Sequence, residues 1–513
     1  MRATRYYIMV RLKNKISTMC ILAVYILCLG ARIYFISEKE DLHGDEITSF
    51  ILAYNNTGWG ENSYKEGIAY TKEELQQNLF IDDKGGWEGY IQDLKALWLD
   101  NRDSSHASLY YMLLRTALIG QDKADQHSAI NRGCGLNLVI FSISFLLLAF
   151  LLVNNFSKYK RLFPVFLFAA FFNPISVSTS LFIREYQIAE MFFIAFCLLS
   201  TKIFNLYKDK KQISYQLAIL YAFTISAFVS VGYFNAIYVC LTVVVMVIFL
   251  AQQKEFREIR ILLIITLASL FICKAMYSGF FNFIIDDRTN EIGEKLSGTG
   301  ILSNLYYSGS GLYRIFIKEL LGYGLTITTL AIIVFGIIKK TKIECMPKSG
   351  IFYILIGWII IITILSTWKL NRYISAGIPM VMIFIMYYLL ELSKPYKLVC
   401  SICVLAAMTL HTTFGDKIEY LTQDIGYFPT SNKIFLYATY DGDRNTLSLI
   451  APHMRENQEC IIISNLNQIK QYTSDTIVYI FADKQMSTLL QDKHFTKSQP
   501  FNTWQDLYIF NEK

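Results

Sequence analysis

The residues best suited to chemistry in this chain are a carboxylate pair and two arginine–tyrosine elements. The pair is Asp45–Glu46, within Leu42-His43-Gly44-Asp45-Glu46, and the elements are Arg184-Glu185-Tyr186 and Asn371-Arg372-Tyr373. Two adjacent carboxylates directly after a long apolar run are costly to desolvate, so they are either solvated or functional. Arginine offers phosphate oxygens a planar fork of donors, and a helix N-terminus adds backbone N–H groups and a positive dipole end. A carboxylate and phosphate-binding arginines together form a group-transfer set. The carboxylate takes a proton from an acceptor hydroxyl, and the arginines stabilise charge on a departing phosphate. Ser105-His106-Ala107-Ser108-Leu109-Tyr110-Tyr111 adds a histidine beside tyrosines, and Asp286-Asp287-Arg288 forms a weaker fifth group. Each has a plainer reading: an acidic loop facing water, snorkelling arginines, an interfacial aromatic belt, a histidine without a ligand.

The elements that must position these residues are membrane helices. Of 513 residues, 54% are hydrophobic and 17% charged, against about 25% charged in a typical soluble domain. Mean hydropathy is +0.36. Apolar runs near twenty residues recur along most of the chain, the pattern of a polytopic helical membrane protein. The net charge of +7 does not point to nucleic acid, because the basic residues sit in short clusters between apolar runs, as cytoplasmic loops do. The cysteines lie mostly inside apolar runs and indicate no disulfide framework.

Eleven spans are expected, beginning with Ile16–Ile36, Gly133–Val153, Leu162–Ser178 and Ile183–Phe204, and ending with Leu398–Thr413. The stretch Ile213–Leu250 would be about 57 Å long as one helix, too long for one crossing, and divides at Gly232. Arg2, Arg5, Arg11, Lys13 and Lys15 place the N-terminus in the cytoplasm, with the protein in the plasma (inner) membrane. Every strongly basic connection then falls inside, and Asp45, His106, Arg184 and Arg372 fall outside. His106–Ile119 reads as an interfacial or re-entrant helix, and Thr71–Leu79 and Trp87–Leu99 as short helices of the first external loop. A transmembrane domain over 1–414, with its external loop at 37–120, and a small extracytoplasmic α/β domain over 415–513 are expected. Cys460–Ser464, Thr476–Ala482 and Leu507–Phe510 read as strands of the latter.

These elements resemble the GT-C glycosyltransferases, in the protein O-mannosyltransferase and aminoarabinose-transferase branch. The resemblance covers roughly Ile16 to Leu390 and rests on the Asp-Glu pair after the first span, the long loop with interfacial helices, and a His-x-x-Leu-Tyr-Tyr element. An Arg-x-Tyr at the fourth span and a late Arg-Tyr complete it. It implies an all-α GT-C bundle and an inverting transferase using a polyprenyl-phosphate-linked sugar donor at the outer face, with a protein, lipid or glycan acceptor. Asp45 would correspond to the catalytic carboxylate, with Glu46 beside it. Arg184 would meet the donor phosphate with Tyr186 nearby, and Arg372 with Tyr373 would be a second phosphate or acceptor contact. His106 joins the substrate-binding residues, although Ala107 and Ser108 stand where the family's element has prolines. Some relatives use a divalent metal ion and others do not. Two rivals remain: a polysaccharide polymerase or ligase, and a transporter or flippase of lipid-linked glycans. The first typically carries its large loop late in the chain, and the second tends to show repeats and charges near the bilayer midplane.

Overall fold

The computed structural model describes residues 2–40, 42–54, 65–79, 86–101, 103, 106, 108–121, 125–281, 300–344, 346, 349–366, 369–394, 396–421, 433–437, 450–465, 478–483, 495–500 and 505–510. Asp286-Asp287-Arg288 lies outside them. The chain divides into two compact units. One comprises Met1–Lys39, Trp98–Tyr110 and Cys134–Leu421; the other comprises Glu40–Leu97, Tyr111–Gly133 and Thr422–Lys513.

The first unit is a multi-pass helical membrane bundle. Among the described residues, eight helices are long and apolar enough to cross a bilayer: Thr18–Ser37, Gln126–Asn155, Tyr186–Lys208, Phe234–Gln252, Phe256–Met276, Ser303–Ile338, Ser375–Leu392 and Lys397–Phe414. A bent pair, Lys158–Phe171 and Pro174–Leu181, makes a ninth if taken as one span, and Tyr215–Val229 and Tyr353–Leu365 are shorter apolar helices. The break expected at Gly232 lies between Tyr215–Val229 and Phe234–Gln252. A buried aromatic cluster of Phe193, Phe196, Phe228, Tyr238 and Trp358 ties several helices together. The Trp358 indole donates to Phe234 O at 3.1 Å, and Gly377 admits it, since a Cβ there would lie 3.0 Å from the indole and 2.8 Å from Leu355.

One difference concerns residues 300–313, which lie in the connection Asn282–Arg314 between the apolar runs Ile259–Phe280 and Leu320–Ile338 and read from the sequence as part of an external loop. They form a helix, Gly300–Tyr313, continued by a π-helical stretch Arg314–Leu321 and then Gly322–Ile338. Glycine and serine in this segment have weak helix propensity, but tertiary contacts override it. Asn304 Nδ2 donates to Ile364 O at 3.0 Å, and Ser308 Oγ to Thr363 O at 3.2 Å.

The bent pair turns by 59° because Pro174 has no N–H to continue the ladder. Asn173 caps the second half by accepting from Ser176 N at 3.0 Å. Of the carbonyls released at the break, Ala169 O and Ala170 O accept from Asn173 Nδ2, Phe172 O accepts from Thr412 Oγ1, and Phe171 O accepts from Arg32 of the first span, which is fully buried. Its Nε donates to Ser180 Oγ (2.8 Å), Nη1 to Cys28 O (3.1 Å) and Phe171 O (3.0 Å), and Nη2 to Ser176 O (3.1 Å) and Oγ (2.9 Å). Five bonds match the five N–H donors of a guanidinium. Glu190 completes the network, accepting from Gln187 Nε2 at 2.8 Å. Irregular backbone at membrane depth is tolerated only where protein satisfies it, and Asn173, Thr412 and Arg32 do that here.

The second unit contains a six-stranded sheet. Its strands are β1 (Ala69–Thr71), β2 (Lys433–Tyr437), β3 (Glu459–Ile463), β4 (Val478–Asp483), β5 (Phe495–Pro500) and β6 (Gln505–Phe510), in the order β1-β3-β2-β4-β6-β5. The pairs β2–β3 and β2–β4 are parallel and the rest antiparallel. The central strands are near-continuous apolar runs, buried at Ile434–Leu436 and Cys460–Ile463, as parallel strands covered on both faces are. β1 comes from the first loop and adds to the sheet edge with Ala69 opposite Ile461 and Thr71 opposite Glu459. Two short helices expected in that loop are present as Lys72–Leu79 and Gly86–Leu99.

Candidate active site

Asp45 and Glu46 begin the helix Gly44–Ala53 in the second unit. His43 is its N-cap. His43 Nδ1 accepts from Asp45 N at 3.2 Å, and Glu46 Oε2 accepts from His43 N at 2.7 Å, a reciprocal capping box. Adjacent carboxylates thus meet opposite surroundings. Glu46 is fully buried and committed to the helix start, whereas the Asp45 side chain is 39% exposed, its Oδ2 3.9 Å from His43 Nδ1.

His106 and Arg184 belong to the helical unit and are in contact. Arg184 Nη2 lies 3.4 Å from His106 Nε2 and 3.5 Å from Nδ1. Two residues to which the sequence reading gave no role, Asp103 and Glu185, close the group. Asp103 Oδ2 is 2.9 Å from His106 Nδ1 and 3.9 Å from Arg184 Nη2. Glu185 Oε1 is 3.4 Å from His106 Nε2, and its Oε2 is 3.2 Å from Arg184 Nε. Backbone and side-chain bonds fix both segments. Asn101 Oδ1 accepts from Asp103 N (2.9 Å) and from Tyr277 OH (3.1 Å), and Asn101 Nδ2 donates to His106 O (2.8 Å). Arg184 N donates to Phe182 O at 2.8 Å, and Asn137 Nδ2 donates to the same carbonyl at 2.8 Å.

Phe182 links this group to the remaining residues. Tyr186, the first residue of the helix Tyr186–Lys208, stacks on Phe182 with centroids 5.6 Å apart. The Arg372 guanidinium lies 5.8 Å from the centre of the Phe182 ring and 5.5 Å from that of Tyr373. Asn371 beside it donates through Nδ2 to Glu319 Oε2 (3.1 Å) and Glu419 Oε1 (2.9 Å). Burial and the nearby Glu319 push the Glu419 carboxyl above its ordinary value. The structure therefore brings together His106, Arg184, Tyr186, Arg372 and Tyr373 in one unit, and places Asp45 and Glu46 in the other. Arg32 and Glu190 also escaped the sequence reading, although a charge inside an apolar run is a signal in itself.

A catalytic divalent ion needs about three protein donors converging on one point. Among the described residues there is no group of three or more His, Cys, Asp or Glu side chains that could hold one. Asp103 and Glu185 approach opposite nitrogens of the His106 ring, so their oxygens do not converge with it on one coordination point. The described residues offer no such donor set, and no chemical step is assigned to a metal.

No protein-family model and no curated protein matches the chain. Among solved structures it is similar to ArnT from Cupriavidus metallidurans bound to undecaprenyl phosphate, at 10% identity and TM-score 0.45, covering 98% of this chain and 98% of that one. It is also similar to the Archaeoglobus fulgidus oligosaccharyltransferase in complex with Zn and sulfate, at 11% identity and TM-score 0.45, covering 94% of this chain and 72% of that one.

Proposed function

We propose that this chain is a GT-C-type inverting glycosyltransferase that moves a sugar from a polyprenyl-phosphate-linked donor to an acceptor hydroxyl at the outer face of the membrane. The observation that carries the reading is Arg184. It is a 5% exposed guanidinium just before a helix N-terminus, ringed by Asp103, His106 and Glu185. The position of this buried arginine is fixed before any ligand arrives, and a donor phosphate competes with Asp103 and Glu185 for it. Arg372, over Phe182 and Tyr373, is a second cation for the same anion.

The exposed Asp45 carboxylate takes the proton of the acceptor hydroxyl as that oxygen attacks the anomeric carbon from the face opposite the phosphate. The new glycosidic C–O bond forms while the bond from the anomeric carbon to the phosphate oxygen breaks. The electron pair leaves on the polyprenyl phosphate, where Arg184 and Arg372 stabilise it. Glu46 holds the Asp45 helix start through the His43 N–H and serves as a positioning residue. The acceptor is a hydroxyl of a glycan, a lipid or a protein, and hexosyl or pentosyl donors meet the same chemistry.

The test compares wild-type, Asp45→Asn and Arg184→Ala membranes for transfer from undecaprenyl-phosphate sugars, with products read by mass spectrometry. Asp45→Asn is expected to lower the transfer rate by about a thousandfold, within reach of a lost general base and lost orientation. Transfer at the wild-type rate by Asp45→Asn, or donor use unaltered by Arg184→Ala, would remove the proposed roles.

A further inference from the structure

Tyr420 is the penultimate residue of the helical unit, which ends at Leu421. Its φ of +68° lies in the left-handed region, where a non-glycine residue persists only if its surroundings over-determine it. Here they do. The Tyr420 carbonyl accepts from Lys39 Nζ at 2.8 Å, and Lys39 is 1% exposed. The preceding residue is held on two sides: Glu419 N donates to Ser178 Oγ at 2.8 Å, and Glu419 Oε1 accepts from Asn371 Nδ2 at 2.9 Å. What this backbone delivers is a ring. Tyr420 stacks on Phe182 with centroids 3.9 Å apart and planes 7° from parallel.

Phe182 is in contact with both arginines. Its carbonyl accepts the Arg184 N–H at 2.8 Å, and its ring lies 5.8 Å from the Arg372 guanidinium. Tyr186 stacks on it as well. We propose that Tyr420 is a positioning residue of the donor-phosphate site, fixing Phe182 and through it the placement of Arg184 and Arg372. The inference rests on the phosphate role given to those arginines above. It gives the segment between the last membrane helix and the C-terminal unit a part in donor binding. Tyr420 itself makes no contact with the reacting atoms in this assignment.

The experiment titrates the purified, detergent-solubilised full-length chain with undecaprenyl phosphate, read by native mass spectrometry, alongside thermal unfolding. Tyr420→Gly deletes the ring while favouring the left-handed backbone, so it separates ring from strain. Expected are a loss of affinity of about tenfold in Tyr420→Gly and Tyr420→Leu, and affinity within about twofold of wild type in Tyr420→Phe. Tyr420→Gly should unfold at the wild-type temperature. Asp416→Gly, at the other nearby left-handed position (φ +48°), should bind as wild type. Equal affinity of wild type and Tyr420→Gly overturns the proposal. So does failure of both Tyr420→Gly and Tyr420→Leu to fold, because the ring then holds the bundle rather than the site. A wild-type chain whose binding is absent, or is unchanged by Arg184→Ala, overturns the functional reading itself and is distinguishable from both.

Discussion

Arg184 and Glu391 are both buried charges at helix ends, and both sit at the end that the helix dipole disfavours. Arg184 precedes the N-terminus of Tyr186–Lys208, and Glu391 lies in the last turn of Ile378–Leu392. They are neutralised in different ways. Glu391 accepts from Tyr159 OH at 2.6 Å, Lys397 Nζ at 3.1 Å and Lys394 Nζ at 2.5 Å, and Lys394 also reaches Glu344 at 3.5 Å. Its lysine partners are partly solvated, 33% exposed for Lys394 and 26% for Lys397. Arg184 is instead held by side chains that are nearly buried themselves, Glu185 at 6% and Asp103 at 11%. Flexible lysines at a water boundary anchor a helix end and tolerate replacement. Short, buried carboxylates leave an arginine in a defined place, which suits recognition of a ligand.

The comparison breaks most easily at the two cations. Arg184→Lys keeps the charge and loses the planar fork, so donor affinity should fall by about tenfold or more. Lys394→Arg should leave it within about twofold. Undecaprenyl phosphate titration of both variants checks this, and equal responses would dissolve the distinction between a site and an anchor.

At the anchor the effect is expected on stability rather than on binding. Glu391→Ala leaves the Tyr159 hydroxyl and two lysines without their shared anion, and should destabilise the detergent-solubilised bundle by about 3 kcal/mol. The folded fraction should bind donor as wild type does. Donor affinity that falls together with the unfolding temperature would couple the two clusters.

The smallest effects are in pH dependence, and they have opposite signs. Glu419 is raised above 4.5, first by burial and then by Glu319. Its protonated form is favoured by the fold, so its contribution is fully present below the ordinary value and is lost as pH rises through the raised one. Glu344 is lowered from 4.5, first by its hydrogen bond with Lys158. Its contribution is present above the ordinary value and is lost as pH falls through the lowered one. Both variants should therefore match wild type in acid and diverge from it toward neutral pH, Glu419→Gln with a higher unfolding temperature than wild type and Glu344→Gln with a lower one. The same sign for both variants would contradict the burial contrast between the two regions.

Local chemistry was legible in the sequence. Apolar runs identified membrane helices, because desolvating a backbone in lipid requires long internally bonded segments. The Asp45–Glu46 pair and the arginine–tyrosine elements were visible as charges beside such runs. The capping box of His43 and Glu46 was not legible, because histidine is not a usual N-cap residue, and adjacency alone did not say that one carboxylate is buried and the other partly exposed. That division is decided by the fold around the helix start.

Other features depended on partners far along the chain. Arg32 meets Phe171, Ser176 and Ser180, β1 of the first loop joins β3 near the C-terminus, and Tyr420 lies on Phe182. Residues 300–313 became helical against their propensity because Asn304 and Ser308 found carbonyls on a neighbouring helix. Hydrophobic periodicity is a property of a dozen neighbours, so the sequence alone determined that the chain carries many helices apolar enough to cross a membrane. Which buried charge meets which partner depends on contacts between segments distant in sequence, so only the tertiary structure could set Arg184 among Asp103, His106 and Glu185.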